Sequence, residues 1–343
     1  RPPVVVDWLP WNHTFGGNHN FNMVLRNGGT LYVDGGKPMP GLVETTVRNL
    51  REVSPTLYFN VPRGFDLLLP FLEKDAELRR NFFRELDVLF YAAAALPQNL
   101  WDRLKELSQK ENKPGLAMLS AWGSTETSPL ATSVHFHMER PGVIGLPVPG
   151  CELKLVPAAG KLEVRVRGPH VTPGYYRRDD LTKAAFDEEG FYRIGDAVKL
   201  ADPSDPSKGV VFDGRVAEDF KLTTGTWVHV GAVRVALIAA GNPIIQDAVI
   251  TGHDRDEIGA LVFLSPAAKD VDVKAKLEAV LKGFSGEASS ARVTRLMVMS
   301  EPPSIDANEI TDKGYMNQRA VLQRRAALVE KLYAAPAGVV SAD

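Results

Sequence analysis

The residues best able to do chemistry lie in a turn at 120–129, with the sequence SAWGSTETSP. An apolar run at 116–120 precedes it, so we expect a buried strand that ends in a hydroxyl-rich turn. Backbone amides and the hydroxyls of Thr125 and Thr127 can donate to phosphate oxygens, and Glu126 offers the hard oxygen ligand that magnesium prefers. Taken alone, the segment is equally compatible with a Ser/Thr-rich surface turn, and that alternative stays open.

Two later segments also carry charged groups at turns. Residues 190–196, GFYRIGD, place Asp196 directly after a glycine, where a carboxylate could bridge two vicinal hydroxyls. Residues 212–221, FDGRVAEDFK, contain Arg215 and, at the sixth place after it, Lys221. Each segment by itself also fits an ordinary exposed turn, so neither identifies a site without the other.

The order of these segments resembles the adenylate-forming superfamily of acyl-CoA synthetases, luciferases and peptide-synthetase adenylation domains. Thr-Glu follows a strand, Gly-Asp comes next, and Gly-Arg with a later lysine comes last. Residues 142–150, GVIGLPVPG, are similar to that family's Gly/Pro-rich strand connector. Within the superfamily, residues 214–228 and 308–322 look most like feruloyl-CoA synthetases, which activate hydroxycinnamic acids. The resemblance spans nearly the whole chain.

The resemblance implies a role for each matching residue. Thr125 would contact the AMP phosphate and Glu126 the magnesium ion, while Asp196 would hold the ribose hydroxyls with the help of Arg215. Lys313, in a Thr-x-Lys-Gly turn, would be the catalytic lysine, whose ammonium group stabilises negative charge that spreads over the α-phosphate oxygens. Adenine would stack near Tyr91, Ala92, Ala93 and Ala94, where small residues let a flat ring approach the backbone. The other implied nucleotide contacts are Trp122, Gly123, Ser124, Lys221 and Gly225.

An acyl pocket is implied near the start of the chain. His13 resembles the His or aromatic residue that lines this pocket in relatives, but a loop histidine that merely bonds the backbone is the alternative. Trp122, Trp11 and Phe15 could form a flat pocket for an aromatic acid. The alternative for these rings is that they simply belong to the core.

Two departures from the family pattern limit what the resemblance implies. The phosphate-binding loop, which is rich in Ser, Thr and Gly, should lie upstream, and nothing like it occurs before Asp7. We therefore expect the C-terminal portion of a synthetase, which by itself binds nucleotide poorly or is inactive. Ala217 stands where relatives carry the Asp or Lys about which the small domain pivots, and Glu218 or Asp219 are the candidate replacements.

The elements that must position these residues alternate between strand and helix in the first part of the chain. Apolar residues recur every three or four positions at 78–89, and again after Pro97, which indicates two helices with one buried face each. Strands are expected at 88–91 and 116–120, so this part predicts a layered α/β sheet. The Gly-rich stretch 12–20 is expected to be an irregular loop that carries side chains.

We expect three domains of mixed α/β and α+β class. Residues 1–141 would be the α/β part of a large, N-terminally truncated adenylation domain, 142–213 a small β-barrel-like subdomain of short alternating strands, and 214–343 a mobile α+β domain. In the last of these, strands are expected at 245–251 and 259–264, and helices at 273–284 and 317–333.

Composition narrows the class of protein. The chain has 343 residues, 44% of them hydrophobic, and 40 basic against 42 acidic side chains give a net charge of −2. This argues against disorder and against a nucleic-acid partner. No apolar run approaches the roughly 20 residues that span a bilayer, so no membrane partner is expected. The single cysteine, Cys151, suits a reducing compartment, and we expect a cytoplasmic protein.

Together these observations predict an ATP-dependent carboxylic acid:CoA ligase that forms an acyl-adenylate and then a thioester. ATP or AMP, Mg²⁺ and coenzyme A are the implied cofactors and co-substrates, and the partner is a small carboxylic acid, with a hydroxycinnamic acid such as ferulate implied. The alternatives are an adenylating enzyme for fatty acids or for carrier-protein loading, and an inactive folded remnant. A homodimer is left open.

Overall fold

The computed structural model describes residues 1–39, 41–92, 96–158, 160–310 and 316–342. The chain divides into two compact units. The first comprises Arg1–Val156, Val164–Ile194 and Val198–Phe212, and the second comprises Pro157–Glu163, Gly195–Ala197 and Asp213–Asp343. Each unit is described by itself below.

Among the described residues, the first unit contains the two helices predicted from apolar spacing and four others. In chain order they are α1 (Asn22–Arg26), α2 (Val43–Glu52), α3 (Pro62–Lys74), α4 (Ala76–Arg84), α5 (Gln98–Lys110) and α6 (Asp179–Ala185). Asp75 begins α4 because its carboxylate accepts from the amides of Glu77 and Leu78 at 3.0 Å. The buried faces of α4 and α5 carry apolar residues at helical spacing, among them Leu78, Phe82, Leu100 and Leu104.

The strands up to the 200s form two sheets. They are β1 (Val4–Asp7), β2 (Thr30–Val33), β3 (Leu57–Asn60), β4 (Val88–Ala92), β5 (Ala117–Trp122), β6 (Thr132–Ser133), β7 (Val143–Pro147), β8 (Glu152–Ala158), β9 (Lys161–Arg167), β10 (Tyr192–Leu200) and β11 (Val210–Arg215). β1 and β2 pair in parallel, and the larger sheet runs β3-β4-β5-β6-β7-β11-β10-β9-β8. β3, β4 and β5 are parallel, whereas β6 pairs antiparallel with β5 and β7. The antiparallel strands expected at 142–213 are thus joined to the parallel part through β6.

The second unit is built on a four-stranded sheet. Its further elements are β12 (Phe220–Lys221), β13 (Trp227–Val228), α7 (Val230–Ala240), β14 (Ile245–Thr251), β15 (Ile258–Leu264), α8 (Val273–Gly283), β16 (Val293–Val298), α9 (Gln318–Arg324), α10 (Ala326–Ala334) and β17 (Gly338–Ser341). The sheet order is β14-β15-β16-β17, with one antiparallel and two parallel pairs. Fully buried aliphatic residues of β14 and β15 form its core.

Two sequence-based expectations were wrong. The stretch expected to be an irregular loop contains a π-helical turn, Phe15–Phe21, that continues into α1. Gly16 permits this turn because a Cβ there would lie 2.6 Å from the carbonyl oxygens of Leu9 and Pro10. The single helix expected at 317–333 is two helices, α9 and α10, that break at Arg325.

Candidate active site

The hydroxyl-rich turn lies at the end of β5, as expected. Thr125–Thr127 form one turn of 3₁₀ helix, and the amide of Ser124 donates to the Thr127 hydroxyl at 2.8 Å. Gly123 precedes the turn, and a Cβ there would collide with the carbonyl of Pro129. Thr125 is exposed at the tip, whereas Thr127 is fully buried. The turn is therefore a rigid structure that presents Thr125 and Glu126.

The Glu126 carboxylate is half-buried and held by neutral donors. The Tyr175 hydroxyl donates to its Oε1 at 3.0 Å, and the hydroxyls of Tyr175 and Tyr192 are 3.1 Å apart. Burial opposes ionisation, but the backbone amide of Glu126 and the neighbouring hydroxyl groups, the Tyr175 donor among them, outweigh it, so the pKa of Glu126 is lowered. Glu126 is therefore a carboxylate at neutral pH.

This donor set fits a magnesium ion that arrives with a nucleotide. Proteins hold such an ion through one or two carboxylates together with the substrate phosphates. No cluster of three or more His, Cys, Asp or Glu side chains that could hold a resident metal occurs within the described ranges. The Glu126 carboxylate is thus the kind of ligand with which a protein meets the magnesium of MgATP.

The predicted adenine contacts lie at the end of β4, beside β5. Tyr91 faces Ser120 and Ala92 faces Ala121 in the parallel pairing. Tyr91 is only 3% exposed, its hydroxyl accepts from the amide of Gly142 at 3.2 Å, and its ring packs in the core. Its ring is therefore a core ring rather than an adenine platform. Ala93 and Ala94 lie outside the described residues.

The three rings expected to form an acyl pocket do not lie together. Trp122 packs in one apolar cluster and Phe15 in another, while Trp11 is 53% exposed. The prediction that these three rings form one flat pocket is therefore wrong. The Trp122 ring instead packs with residues of the antiparallel strands. The Nδ1 of His13 accepts from the amide of Phe15 at 3.0 Å, as in the alternative that a loop histidine bonds the backbone.

In the second unit, Asp196 and Arg215 form an ion pair. The guanidinium Nε of Arg215 lies 3.3 Å from Oδ1 of Asp196, whose side chain is 8% exposed against 60% for Arg215. A buried carboxylate can accept hydrogen bonds from the two hydroxyls of a diol, and an exposed guanidinium beside it can bind a phosphate on the same molecule. The structure thus brings the two residues together, and their joint role at the ribose stays a prediction.

Lys221 and Gly225 belong to a small hairpin. β12 pairs antiparallel with β13, and the ammonium of Lys221 lies 5.0 Å from the ring centroid of its partner Trp227. Gly225 closes the turn at a φ of 80°, which favours glycine. Both predicted contacts are therefore presented by one rigid hairpin.

The candidate replacements for the pivot have different surroundings. Asp219 is fully buried, with Lys161 at 2.5 Å and the Nδ1 of His229 at 3.0 Å from its Oδ2. Burial raises the pKa of Glu218, partly offset by Arg215. Asp219 is thus committed to a buried ion pair.

Two protein-family models match the chain. The model of the AMP-binding enzyme family matches residues 2–176, and that of the AMP-binding enzyme C-terminal domain matches residues 222–337. The chain belongs to the AMP-binding enzyme family. This confirms the expected superfamily.

Individual members of the AMP-binding enzyme family resemble the chain at a distance. A chloroplastic long-chain fatty acid–acyl-carrier-protein ligase of Arabidopsis thaliana is 24% identical over 64% of this chain and 33% of its own length. A long-chain fatty acid–CoA ligase of Mycobacterium bovis is 26% identical over 64% of this chain and 38% of its own length. The chain thus spans about a third of the length of these curated relatives.

Solved structures of adenylate-forming proteins share the fold. An anthranilate CoA ligase in complex with anthranoyl-AMP has a TM-score of 0.76 at 23% identity, over 96% of this chain and 60% of its own. The adenylation domain of a carboxylate reductase from Mycobacterium chelonae has a TM-score of 0.73 at 24% identity, over 97% of this chain and 54% of its own. The expected α/β and α+β fold class is confirmed.

Sequence reasoning missed three residues of this AMP-binding enzyme. Tyr192 stands four places before Asp196 in a segment singled out for the aspartate alone. Tyr175 follows a glycine in a segment without a candidate site residue, and Lys161 begins β9. A buried lysine or a tyrosine paired with a distant carboxylate leaves no periodic signal. Lys313 lies outside the described residues.

The described helices of at most 13 residues are too short to cross a bilayer.

Proposed function

We propose that the protein is an ATP-dependent carboxylic acid:CoA ligase. A substrate carboxylate attacks the α-phosphorus of ATP, which forms an acyl-adenylate and releases pyrophosphate. The thiol of coenzyme A then attacks the acyl carbon and AMP leaves, because adenylation has turned a poor leaving group into a good one. The observation that carries the proposal is the ionised Glu126 carboxylate on a rigid turn inside the segment matched by the AMP-binding model.

The residues take the following roles in the proposal. Thr125, at the exposed tip of the turn, donates to the phosphate, and Glu126 meets the magnesium of MgATP. The Asp196 carboxylate accepts from the ribose hydroxyls beside Arg215. Lys313 places its ammonium group where charge develops on the α-phosphate. The other nucleotide contacts are Ala92, Ala93, Trp122, Gly123, Ser124, Lys221 and Gly225, with Tyr91 acting through its backbone.

We propose a compact aromatic acid, a hydroxycinnamic acid such as ferulate, as the substrate. The resemblance of residues 214–228 to feruloyl-CoA synthetases supports this substrate. The packing of aromatic rings in the apolar cluster that contains Leu9 supports it too. There Phe15, Phe59 and Phe90 pack with ring centroids 5.2–6.4 Å apart, which leaves little room for a long alkyl chain. His13 stays a proposed pocket residue. The enzyme would be cytoplasmic, with residues 214–343 moving between the two half-reactions.

A second candidate is a ligase for fatty acids or for carrier-protein loading. The names of the curated relatives favour it, since they include ligases of both kinds. A long acid would need a tunnel past the phenylalanine cluster. The two candidates therefore differ in the length of alkyl chain that the pocket admits.

The test of the reaction is exchange of radiolabelled pyrophosphate into ATP by the full-length gene product. We expect Lys313→Ala to lower acid-dependent exchange about 100-fold or more, because one preorganised charge contact in a transition state is worth that much. Lys274→Ala, at an exposed lysine of α8, is the matched control. Exchange that is equal in both variants would remove Lys313 from the mechanism, and no acid-dependent exchange in the wild type would contradict the proposal.

The test of the substrate is a panel of acids in the same assay. Ferulate and other cinnamic acids should give higher kcat/KM than hexadecanoic acid. The opposite order would favour the fatty-acid candidate. Calorimetry of MgATP with residues 1–343 alone tests the remnant alternative, which predicts no binding.

A further inference from the structure

Two tyrosines from separate elements of the first unit converge on one carboxylate. Tyr175 lies in the loop before α6, and Tyr192 begins β10. The Tyr175 hydroxyl donates to Oε1 of Glu126 at 3.0 Å, and the two hydroxyl oxygens are 3.1 Å apart. The three groups therefore form a chain of hydrogen bonds that ends on Glu126.

The ionised Glu126 carboxylate determines which hydroxyl donates in each hydrogen bond of this chain. An ionised carboxylate can only accept hydrogen bonds, so the one hydrogen of the Tyr175 hydroxyl points to Glu126. The Tyr175 oxygen must then accept from Tyr192. Tyr192 thus acts on Glu126 through Tyr175 and strengthens its donor, as expected for successive hydrogen bonds that polarise one another.

The backbone fixes both tyrosines in place. The amide of Thr172 donates to the carbonyl of Glu126 at 2.7 Å, so the loop is attached to the turn independently of the side chains. The amide of Tyr175 donates to the Thr182 hydroxyl at 2.9 Å. Tyr192 is 6% exposed, and its ring packs edge-on against Phe186. Such anchoring is more than a solvated glutamate on a surface turn requires.

The chain orients the carboxylate without neutralising it. Within the part of the protein that the structure describes, no lysine or arginine forms an ion pair with Glu126, whereas Asp187 of the same unit meets both Lys154 and Arg165. Phenol hydroxyls are neutral donors, so they restrict the rotation of the carboxylate and leave its charge available to a cation. Partners of this kind commonly orient the ligands of metal ions.

We propose that Tyr175 and Tyr192 are positioning residues that hold the Glu126 carboxylate in the orientation in which it meets the magnesium ion of MgATP. This inference rests on the proposed function. It assigns the loop at 172–175 and the first residue of β10 to the adenylation step, although neither touches the substrate in the proposal.

The test compares Tyr175→Phe and Tyr192→Phe in the full-length gene product, with Tyr176→Phe as matched control because Tyr176 is 85% exposed. Two quantities are measured: the half-saturating Mg²⁺ concentration for pyrophosphate exchange, and Mn²⁺ binding with α,β-methylene-ATP by paramagnetic resonance of free Mn²⁺. We expect Tyr175→Phe to weaken both about 10-fold, with an unchanged KM for the acid, since loss of an orienting partner costs about that much in metal affinity.

The double variant makes the test specific to a chain. Because Tyr192 acts through Tyr175, Tyr192→Phe should weaken Mn²⁺ binding in the wild-type background and have no further effect in Tyr175→Phe. Tyr192→Phe keeps the ring against Phe186 and serves as the informative variant should Tyr175→Phe fail to fold. Metal binding in Tyr175→Phe or Tyr192→Phe equal to that of Tyr176→Phe would overturn the inference while leaving the ligase proposal standing. A wild type without Mn²⁺–nucleotide binding would overturn both.

Discussion

Two buried or half-buried glutamates, one in each unit, are held in opposite ways. Glu126 in the first unit accepts from phenol hydroxyls and pairs with no cation among the described residues. Glu309 in the second unit is fully buried and closed off by two arginines. The negative charge of Glu309 is thus balanced by two arginines, whereas that of Glu126 is not balanced by a described cation.

Among the described residues, donors of the second unit surround the Glu309 carboxylate. Arg325 donates to both of its oxygens, from Nε at 2.7 Å and from Nη2 at 2.8 Å, and Arg324 and the amide of Ser304 each donate at 2.8 Å. The Arg325 guanidinium also lies 5.2 Å from the ring centroid of Phe263. Bidentate pairing of this kind fixes geometry as well as charge.

The difference distinguishes a structural carboxylate, Glu309, from Glu126, the carboxylate proposed to meet magnesium. A negative charge that already faces cations within the protein has no further attraction to offer a metal ion. One that is oriented only by neutral donors retains it. Judged by burial alone, Glu309 would be the better candidate for a functional carboxylate. The identity of the partners makes Glu126 the better candidate instead. The following predictions test this distinction.

Glu309→Gln should have the largest effect on stability. It leaves the buried Arg325 guanidinium without its counter-charge, which costs about 3–5 kcal/mol, whereas water can solvate the half-exposed Arg324. Hydrogen exchange of the β15 and β16 amides, followed by mass spectrometry, measures the loss in the second unit. Glu278→Gln at an exposed position of α8 is the control. A change as small as that of the control would mean that the ion pair contributes nothing.

Stability should also depend on pH through Glu309. The Arg325 hydrogen bonds lower its pKa to about 2 against the opposing effect of burial, with help from Ser304 and Arg324. Because the folded-state pKa lies below the ordinary 4.5, the stabilisation is complete above pH 4.5 and is lost as the pH falls from there towards 2. The difference in exchange protection between wild type and Glu309→Gln should therefore shrink from about pH 4.5 downwards. A constant difference would contradict the assignment.

Periodicity predicted the scaffold but not these partners. The helices α4 and α5 and the strand before the Thr125 turn follow from apolar spacing, which is a local property of the chain. The pairing of Tyr175 with Glu126 joins residues 49 places apart, and no pattern in either segment encodes it. The break between α9 and α10 was missed because good helix formers surround Arg325. Its guanidinium instead reaches Glu309, 16 positions earlier.

Glu126→Gln should affect chemistry and leave stability nearly unchanged. The amide keeps an acceptor for Tyr175 but removes the charge, so we expect acid-dependent pyrophosphate exchange to fall about 100-fold, equivalent to about 2.7 kcal/mol. The free energy of unfolding should change by less than about 1 kcal/mol, since no buried cation is left unpaired. Glu139→Gln, at an exposed position of the same unit, is the control. The comparison fails should Glu126→Gln destabilise as strongly as Glu309→Gln.

An exposed ion pair should make the smallest contribution to the free energy of unfolding in this comparison. Arg178 and Asp180 are only 2.8 Å apart, yet their side chains are 56% and 66% exposed. Water screens the pair in both the folded and the unfolded chain, so Arg178→Ala should lower the free energy of unfolding by no more than about 0.5 kcal/mol. Urea denaturation at low and high salt measures this, and the small effect should vanish in high salt. A loss comparable to that of Glu309→Gln would show that distance between charges, rather than burial and the number of partners, decides what an ion pair contributes here.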